Sequence, residues 1–330
     1  MDYQQSKKNF LQNLIGKHCS NIDWIWIGGK SRRRATFQID KKNHLGFFAE
    51  KSHNLIEIEN DESVEEKISD LIIPLKNFLK KQEENFYTQA SVTLFDNGLD
   101  VIMGVKREPN FSQVQQLISF AKEQNLNISY RQKDAPTAVY LIRKNQIFFT
   151  DFKIDLDSEV FLQATKSGLD NIIKIIRQNL NQSYRVADIY AGFGAYSFAI
   201  YDLVKSVHAF EGSKKMIDLL NKNAAENAIS NKVKGFIRDI YSSPLVVRDL
   251  KDFDFVIINP PRNGASPQII EISKSSIKKL IYVSCNPQSF ARDTEILINS
   301  GFKIKNLTAI DQFYATKHLE LVAIFEKWKI

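Results

Sequence analysis

The sequence predicts an α/β protein in which a doubly wound, mostly parallel sheet is preceded by a smaller α+β domain. Three observations carry the prediction. From residue 166 a helix is followed by short apolar runs alternating with helical stretches, the pattern of parallel strands joined by crossover helices. Before that point, runs such as RRRATFQID alternate apolar and polar residues at period two and end at turn signals, as antiparallel strands do. Several apolar runs of the second half also end in polar or acidic residues, which places candidate ligands along one rim of a sheet.

In chain order, residues 5–18 read as a short helix, and residues 32–60 (RRRATFQID, HLGFFAEKS, NLIEIEN) read as strands with turns at Lys41–Asn43 and Ser52–Asn54. A helix is expected over about 62–84. SVTLFDNG and LDVIMGV meet at an Asn97-Gly98 hairpin signal, and a helix over about 111–124 precedes further strands to about 153. A helix over 166–180 then leads into RVADIYAG, VHAFEGS, VKGFIRDI, FDFVIINPP and KLIYVSCN, with a final pair of strands around 303–310 and 320–326. The boundary is expected near 155–165, dividing residues 1–160 from 161–330. Internal repeats and low-complexity tracts are absent from the sequence.

With 43% hydrophobic and 11% aromatic residues, the chain can build ordinary packed cores. No apolar run reaches the roughly 18 residues of a membrane span, and the start MDYQQSKKNFLQN lacks the apolar core of a secretory signal. A cytoplasmic monomer without a membrane partner is therefore expected. Cys19 and Cys285 are the only cysteines, too few for a disulfide framework, a four-cysteine zinc site or a cysteine-held iron–sulfur cluster, so neither a metal nor a cluster is expected. Forty-five Lys+Arg against 38 Asp+Glu give a net charge of +7, which suits a polyanionic partner. Lys30, Arg32, Arg33 and Arg34 in GGKSRRRATF are the candidate phosphate contacts; a solvated hairpin is the alternative.

DIYAGFG (188–194) is a glycine turn between a strand and a helix, where the backbone can approach a ligand closely. It lacks the third glycine of the dinucleotide fingerprint. The next strand ends in Glu211, placed as an acid that binds ribose hydroxyls would be, and Asp239 and Asn259 end the following two. Two prolines after Asn259, in NPPR, end the hydrogen-bond ladder and hold a rigid loop over the crevice. The set favours an S-adenosylmethionine-type methyltransferase over a nicotinamide enzyme.

Cys285 reaches the same rim in YVSCNPQSFARD. A lone cysteine at a strand end is usually packing, but Asn286-Pro287 opens a helix whose N-terminus favours a thiolate. Beside a methyl donor, a thiolate can add to C6 of uracil and make C5 nucleophilic, and a base must then remove the C5 proton. Glu320, a carboxylate opening an otherwise apolar strand, suits that base; His318 is the rival.

FLQAT (161–165), DIYAGFG (188–194), FEGS (210–213), NPPRNGA (259–265), VSCNPQSFARD (283–293) and DQFYATKHLE (311–320) together resemble the RNA uracil-C5 methyltransferase family, in the same order and spacing. SRRRATFQID and GFFAEKSHNLIEI extend the likeness more loosely into the first domain. The resemblance implies a Rossmann-like class I methyltransferase domain behind a smaller α+β RNA-binding domain. It also implies 5-methyluridine formation in RNA, with 23S ribosomal RNA expected and transfer RNA the alternative. Carried over residue by residue, Gln163, Tyr190, Glu211 and Asn259 contact S-adenosylmethionine, Cys285 is the nucleophile and Glu320 the proton acceptor. The chain departs from the family in three places: Asn259 stands where many relatives have Asp, Thr165 where they have Asn, and Asn60-Asp61 where some begin a four-cysteine cluster. The small β-barrel that opens some members is not expected here. Two other readings remain: a cytosine-C5 methyltransferase sharing the thiol chemistry, and an RNA-binding or assembly factor whose catalysis has lapsed.

Overall fold

The computed structural model describes residues 2–49, 52, 54–149, 152–314 and 316–327. Two compact units emerge, Gly28–Lys166 and Met1–Ile27 with Ser167–Ile330. The expected boundary is thus corrected twice: it moves to 166/167, and the first 27 residues join the second unit. The cause is pairing between residues far apart in sequence. Helix α1 (Tyr3–Ile15) buries Leu11 and Ile15 in the core of the C-terminal sheet, and strand β1 (Asp23–Trp26) joins that sheet's edge.

The unit of residues 28–166 contains β2 (Arg34–Ile39), β3 (Leu45–Phe48), β4 (Leu55–Glu57), α2 (Glu66–Asp70), α3 (Ile72–Leu79), β5 (Tyr87–Phe95), β6 (Gly98–Val105), α4 (Phe111–Glu123), β7 (Asn127–Arg131) and β8 (Thr137–Tyr140), followed by a hairpin of β9 (Asn145–Phe148) and β10 (Lys153–Leu156). Strands β2–β8 form one sheet in the order β4-β3-β2-β5-β6-β7-β8, antiparallel except for β6 and β7, which α4 connects. The Asn97-Gly98 turn lies where expected; Gly98, at φ 149°, takes a conformation that side chains disfavour. Of the turn predicted at Ser52–Asn54, His53 lies outside the described residues.

The other unit continues with α5 (Lys166–Arg177), β11 (Arg185–Ile189), α6 (Ala195–Ile200), β12 (Ser206–Glu211), α7 (Lys214–Glu226), β13 (Val233–Ile237), α8 (Val247–Leu250), β14 (Phe255–Ile258), α9 (Ser266–Lys274), β15 (Lys279–Ser284), α10 (Pro287–Asn299), β16 (Phe302–Asp311) and β17 (Glu320–Lys327). Its eight strands run in the order β1-β16-β17-β15-β14-β11-β12-β13. All neighbours are parallel except β17, which is antiparallel to both β15 and β16. The central strand β14, FVII, is buried throughout, as a strand covered by helices on both faces must be. The order reverses between β11 and β14, and such a switch point opens a ligand crevice at the carboxyl ends of the strands. No helix among the described residues is long and apolar enough to cross a membrane.

Candidate active site

The register lines up the rim. Ile189 pairs with Phe210 and with Ile258, and Ile258 with Tyr282, so the residues that follow project from one edge. Tyr190 leaves β11 in the left-handed region (φ 63°), a strained conformation for a tyrosine that is worth about 1–3 kcal/mol and recurs at ligand clamps. Gly192 (φ 57°) faces open space: a Cβ there would meet nothing within 4 Å. Gly194 (φ 90°) instead meets packing, since its Cβ would fall 2.7 Å from Leu220 Cδ1. Glu211, at the end of β12, accepts hydrogen bonds from the backbone N–H of Gly192 (3.1 Å) and Ser213 (3.0 Å), which fix its carboxylate beside the turn.

Two buried polar atoms lack a hydrogen-bond partner here, Tyr190 Oη and Asp188 Oδ1. Buried groups of this kind normally have one, so each is a candidate ligand contact. Burial lifts the Tyr190 hydroxyl to about 12 and the Asp188 carboxyl to about 6, the latter against the hydrogen bond donated by Ser197 Oγ (2.7 Å). Asn259 donates its backbone N–H to Ile189 O (3.2 Å) and its side-chain amide to Tyr196 Oη (3.5 Å). Asp239 is exposed; its carboxyl is held below the usual range, chiefly by hydrogen bonds from Ser242.

Cys285 directly follows β15 and is half-buried. Asn286 caps α10 by accepting from Gln288 N–H (3.1 Å), and its amide donates to Arg262 O (2.8 Å), tying the proline loop to the thiol's neighbour. The fully buried Asp293 completes that tie, accepting from Ala265 N–H (2.7 Å) and Tyr282 Oη (2.7 Å). The helix terminus does not make Cys285 a resting thiolate. Burial, and then the charge of Glu320, push the thiol up, and the charge and hydrogen bond of Arg262 recover only part of that shift.

Glu320 opens β17 at 3% exposure. Ser284 pairs with Leu321 in antiparallel register, which brings the strand ends carrying Cys285 and Glu320 alongside each other, close enough for the charge of Glu320 to act on the thiol. Gln312 Nε2 donates to Glu320 Oε2 (2.9 Å). The buried Tyr196 hydroxyl is raised well above its ordinary value by burial, then by the charges of Glu320 and Asp188, and so lies within electrostatic reach of both. His318, the rival base, has an exposed ring packed edge-to-face on Phe313 (5.8 Å). The segment leading to Glu320 is fastened from α1: Lys7 Nζ bonds Asp311 Oδ1 (2.7 Å) and His318 O (2.8 Å), and Tyr3 Oη bonds Asp311 Oδ2 (2.9 Å).

Cys285, Glu320, Tyr190, Glu211 and Asn259 therefore share one rim of one unit, whereas Gln163 is buried in the unit of residues 28–166. The basic cluster divides. Lys30 is exposed and Arg34 partly so, but Arg33 is only 3% exposed, ion-paired to Asp96 (2.7 Å) and donating to Leu94 O (3.2 Å), so it is removed from the phosphate contacts as an internal brace. Arg32 Nε is buried without a hydrogen-bond partner. Sequence reasoning passed over Tyr196, Gln312 and Lys7, noted Asp293 only as following Arg292 on the helix after Cys285, and quoted Arg262 only as part of NPPR. The one local signal was Arg262's place beside two prolines.

The open glycine turn, the orphaned Tyr190 hydroxyl and the braced Glu211 carboxylate fit a ligand with a ribose and polar groups on either side, as S-adenosylmethionine has. Strand order, an antiparallel β17 and this rim define a class I S-adenosylmethionine-dependent methyltransferase. The family model described as tRNA (uracil-5-)-methyltransferase matches residues 4–328, and the chain belongs to that family as an RNA (uracil-5-)-methyltransferase. An uncharacterized RNA methyltransferase of Mesorhizobium japonicum is 30% identical, covering 98% of this chain and 79% of its own. The 23S rRNA (uracil(1939)-C(5))-methyltransferase RlmD of Shewanella piezotolerans is 27% identical, covering 99% of this chain and 75% of its own. Among solved structures, the Pyrococcus abyssi tRNA (uracil-54, C5)-methyltransferase in complex with S-adenosyl-L-homocysteine superposes with a TM-score of 0.78 at 20% identity, over 98% of this chain and 84% of that one. Among the described residues, no group of His, Cys, Asp and Glu could hold a metal ion.

Proposed function

We propose that the enzyme methylates a uridine of 23S ribosomal RNA through a covalent bond between Cys285 Sγ and uracil C6, with Glu320 as the base. The observation that supports this reading most is a buried carboxylate whose charge acts on the thiol, brought near it by the antiparallel pairing of β15 and β17. Tyr190, Glu211 and Asn259 would hold S-adenosylmethionine; Gln163 is assigned by resemblance. The cofactor supplies an electrophilic methyl group. The Cys285 thiol gives its proton to solvent and the thiolate adds to C6; the electrons of the 5,6 double bond move onto C5 and O4, so that C5 takes the methyl group and leaves S-adenosylhomocysteine. C5 then carries both methyl and hydrogen. Glu320 accepts that proton, the double bond re-forms, and the Cys285 thiolate leaves. Arg262 stabilises the thiolate at both ends of the cycle. Lys30, Arg32 and Arg34 serve as phosphate contacts.

The similarity to a 23S ribosomal RNA enzyme over nearly the whole chain favours ribosomal RNA, and the family description keeps transfer RNA as the alternative. The test uses unmodified ribosomal and transfer RNA transcripts with radiolabelled methyl donor, followed by nuclease digestion and mass spectrometry. 5-Methyluridine in the ribosomal transcript, lost in Cys285→Ala, is expected. Methylation persisting in Cys285→Ala refutes the mechanism, a product confined to transfer RNA moves the target, and 5-methylcytidine moves the base. A wild-type protein that S-adenosylmethionine fails to stabilise thermally would be a lapsed factor, because a ligand bound only by the native state must raise its stability.

A further inference from the structure

We propose that α1 forms an RNA-binding wall beside the nucleophile, and that Phe10 stacks on the base of a nucleotide adjoining the target uridine. The inference rests on the preceding reading. A cavity of about 710 Å3 opens at Cys285, and α1 lines it with Tyr3, Ser6, Lys7 and Phe10. That spacing is a single stripe of a helix. Two of its members are committed to structure, since Tyr3 and Lys7 fasten Asp311 and with it the segment leading to Glu320. Phe10 has no such employment: α1 already buries its core face through Leu11 and Ile15, and Phe10 stands 42% exposed on the cavity side.

Facing it are Arg262, Lys317, His318 and Gln288, all donors suited to phosphate, ribose or base edges. An exposed aromatic face opposite cations, around a nucleophile that needs an unstacked base, is the chemistry of single-stranded RNA. Extruding the target uracil also costs its neighbour a stacking partner, and an aromatic side chain can replace it. Cys285 and Arg262 belong to both the cavity and the reaction, so the wall is continuous with the catalytic centre.

The test compares Phe10→Ala, Phe10→Leu and Phe10→Tyr with wild type on the RNA transcript that wild type methylates. Phe10→Ala is expected to raise KM for RNA about tenfold, which at about 1.4 kcal/mol is one base–aromatic stack. Phe10→Tyr should restore the wild-type value and Phe10→Leu should not, while KM for S-adenosylmethionine and the thermal midpoint stay unchanged. An RNA KM for Phe10→Ala within about twofold of wild type, or full rescue by leucine, overturns the stacking subsite alone, since one stack is worth at least about 1 kcal/mol. Absence of 5-methyluridine formation by wild type overturns the underlying reading and the subsite with it.

Discussion

Replacing Glu320 by glutamine separates the two halves of the proposed cycle. The substitution keeps side-chain shape at a site that is 3% exposed, and the new amide oxygen can still accept the hydrogen bond from Gln312 Nε2. The amide nitrogen that replaces the other carboxylate oxygen is a new donor at a buried position, so a stability loss of about 1–3 kcal/mol is expected, too small to unfold the protein. The charge, however, is gone. Glu320 is the second-largest upward influence on the Cys285 thiol after burial, so in Glu320→Gln the thiol ionises more readily and addition to C6 is not impeded. Proton removal from C5 is impeded, and losing a positioned general base costs about 10²–10⁴ in rate, or roughly 2.7–5.4 kcal/mol of barrier. Methylated RNA should then remain bonded to Cys285. With methyl-labelled donor, denaturing electrophoresis should show label migrating with a protein–RNA adduct, together with turnover reduced by at least about a hundredfold. Release of free 5-methyluridine at the wild-type rate, or inactivity without any adduct, would refute the assignment of Glu320 as the base.

Two further perturbations test the surroundings. Because the Cys285 thiol is raised above its ordinary value, the thiolate fraction, and with it methylation under single-turnover conditions, should climb about tenfold per pH unit through neutrality. Arg262→Gln removes the group that pulls the thiol down, so the profile should move to higher pH; an unmoved profile denies Arg262 its role. Arg33→Ala should cost about 1–3 kcal/mol in a denaturant titration, because Asp96 loses its buried partner and keeps only Lys166 (2.9 Å) and the Phe148 N–H (2.9 Å), and RNA binding by the remaining folded protein should be unchanged. A selective loss of RNA affinity at full stability would return Arg33 to the phosphate contacts.

The part of the site on the parallel strands was legible because parallel strands deliver all their carboxyl ends to one edge. Once RVADIYAG, VHAFEGS, FDFVIINPP and KLIYVSCN read as successive strands, Tyr190, Glu211, Asn259 and Cys285 had to share a rim. Tyr196 was not legible, since a tyrosine within a short helix reads as core until its hydroxyl is seen against Asn259. Gln312 was equally silent, because only the fold of 311–320 turns its amide toward Glu320.

By itself, then, the sequence determined the order of elements and the rim, because periodicity and local chemistry are written along the chain. Tertiary structure alone decided what depends on distant pairing and on burial. It inserted β17 antiparallel so that the charge of Glu320 reaches the Cys285 thiol, and it bound Lys7 to Asp311, 304 positions away, so that α1 joined the same unit. It also turned Arg33 inward while leaving Lys30 exposed, and raised the thiol that a helix terminus alone would have lowered. These outcomes follow from desolvation and long-range contacts, which no local stretch of sequence encodes.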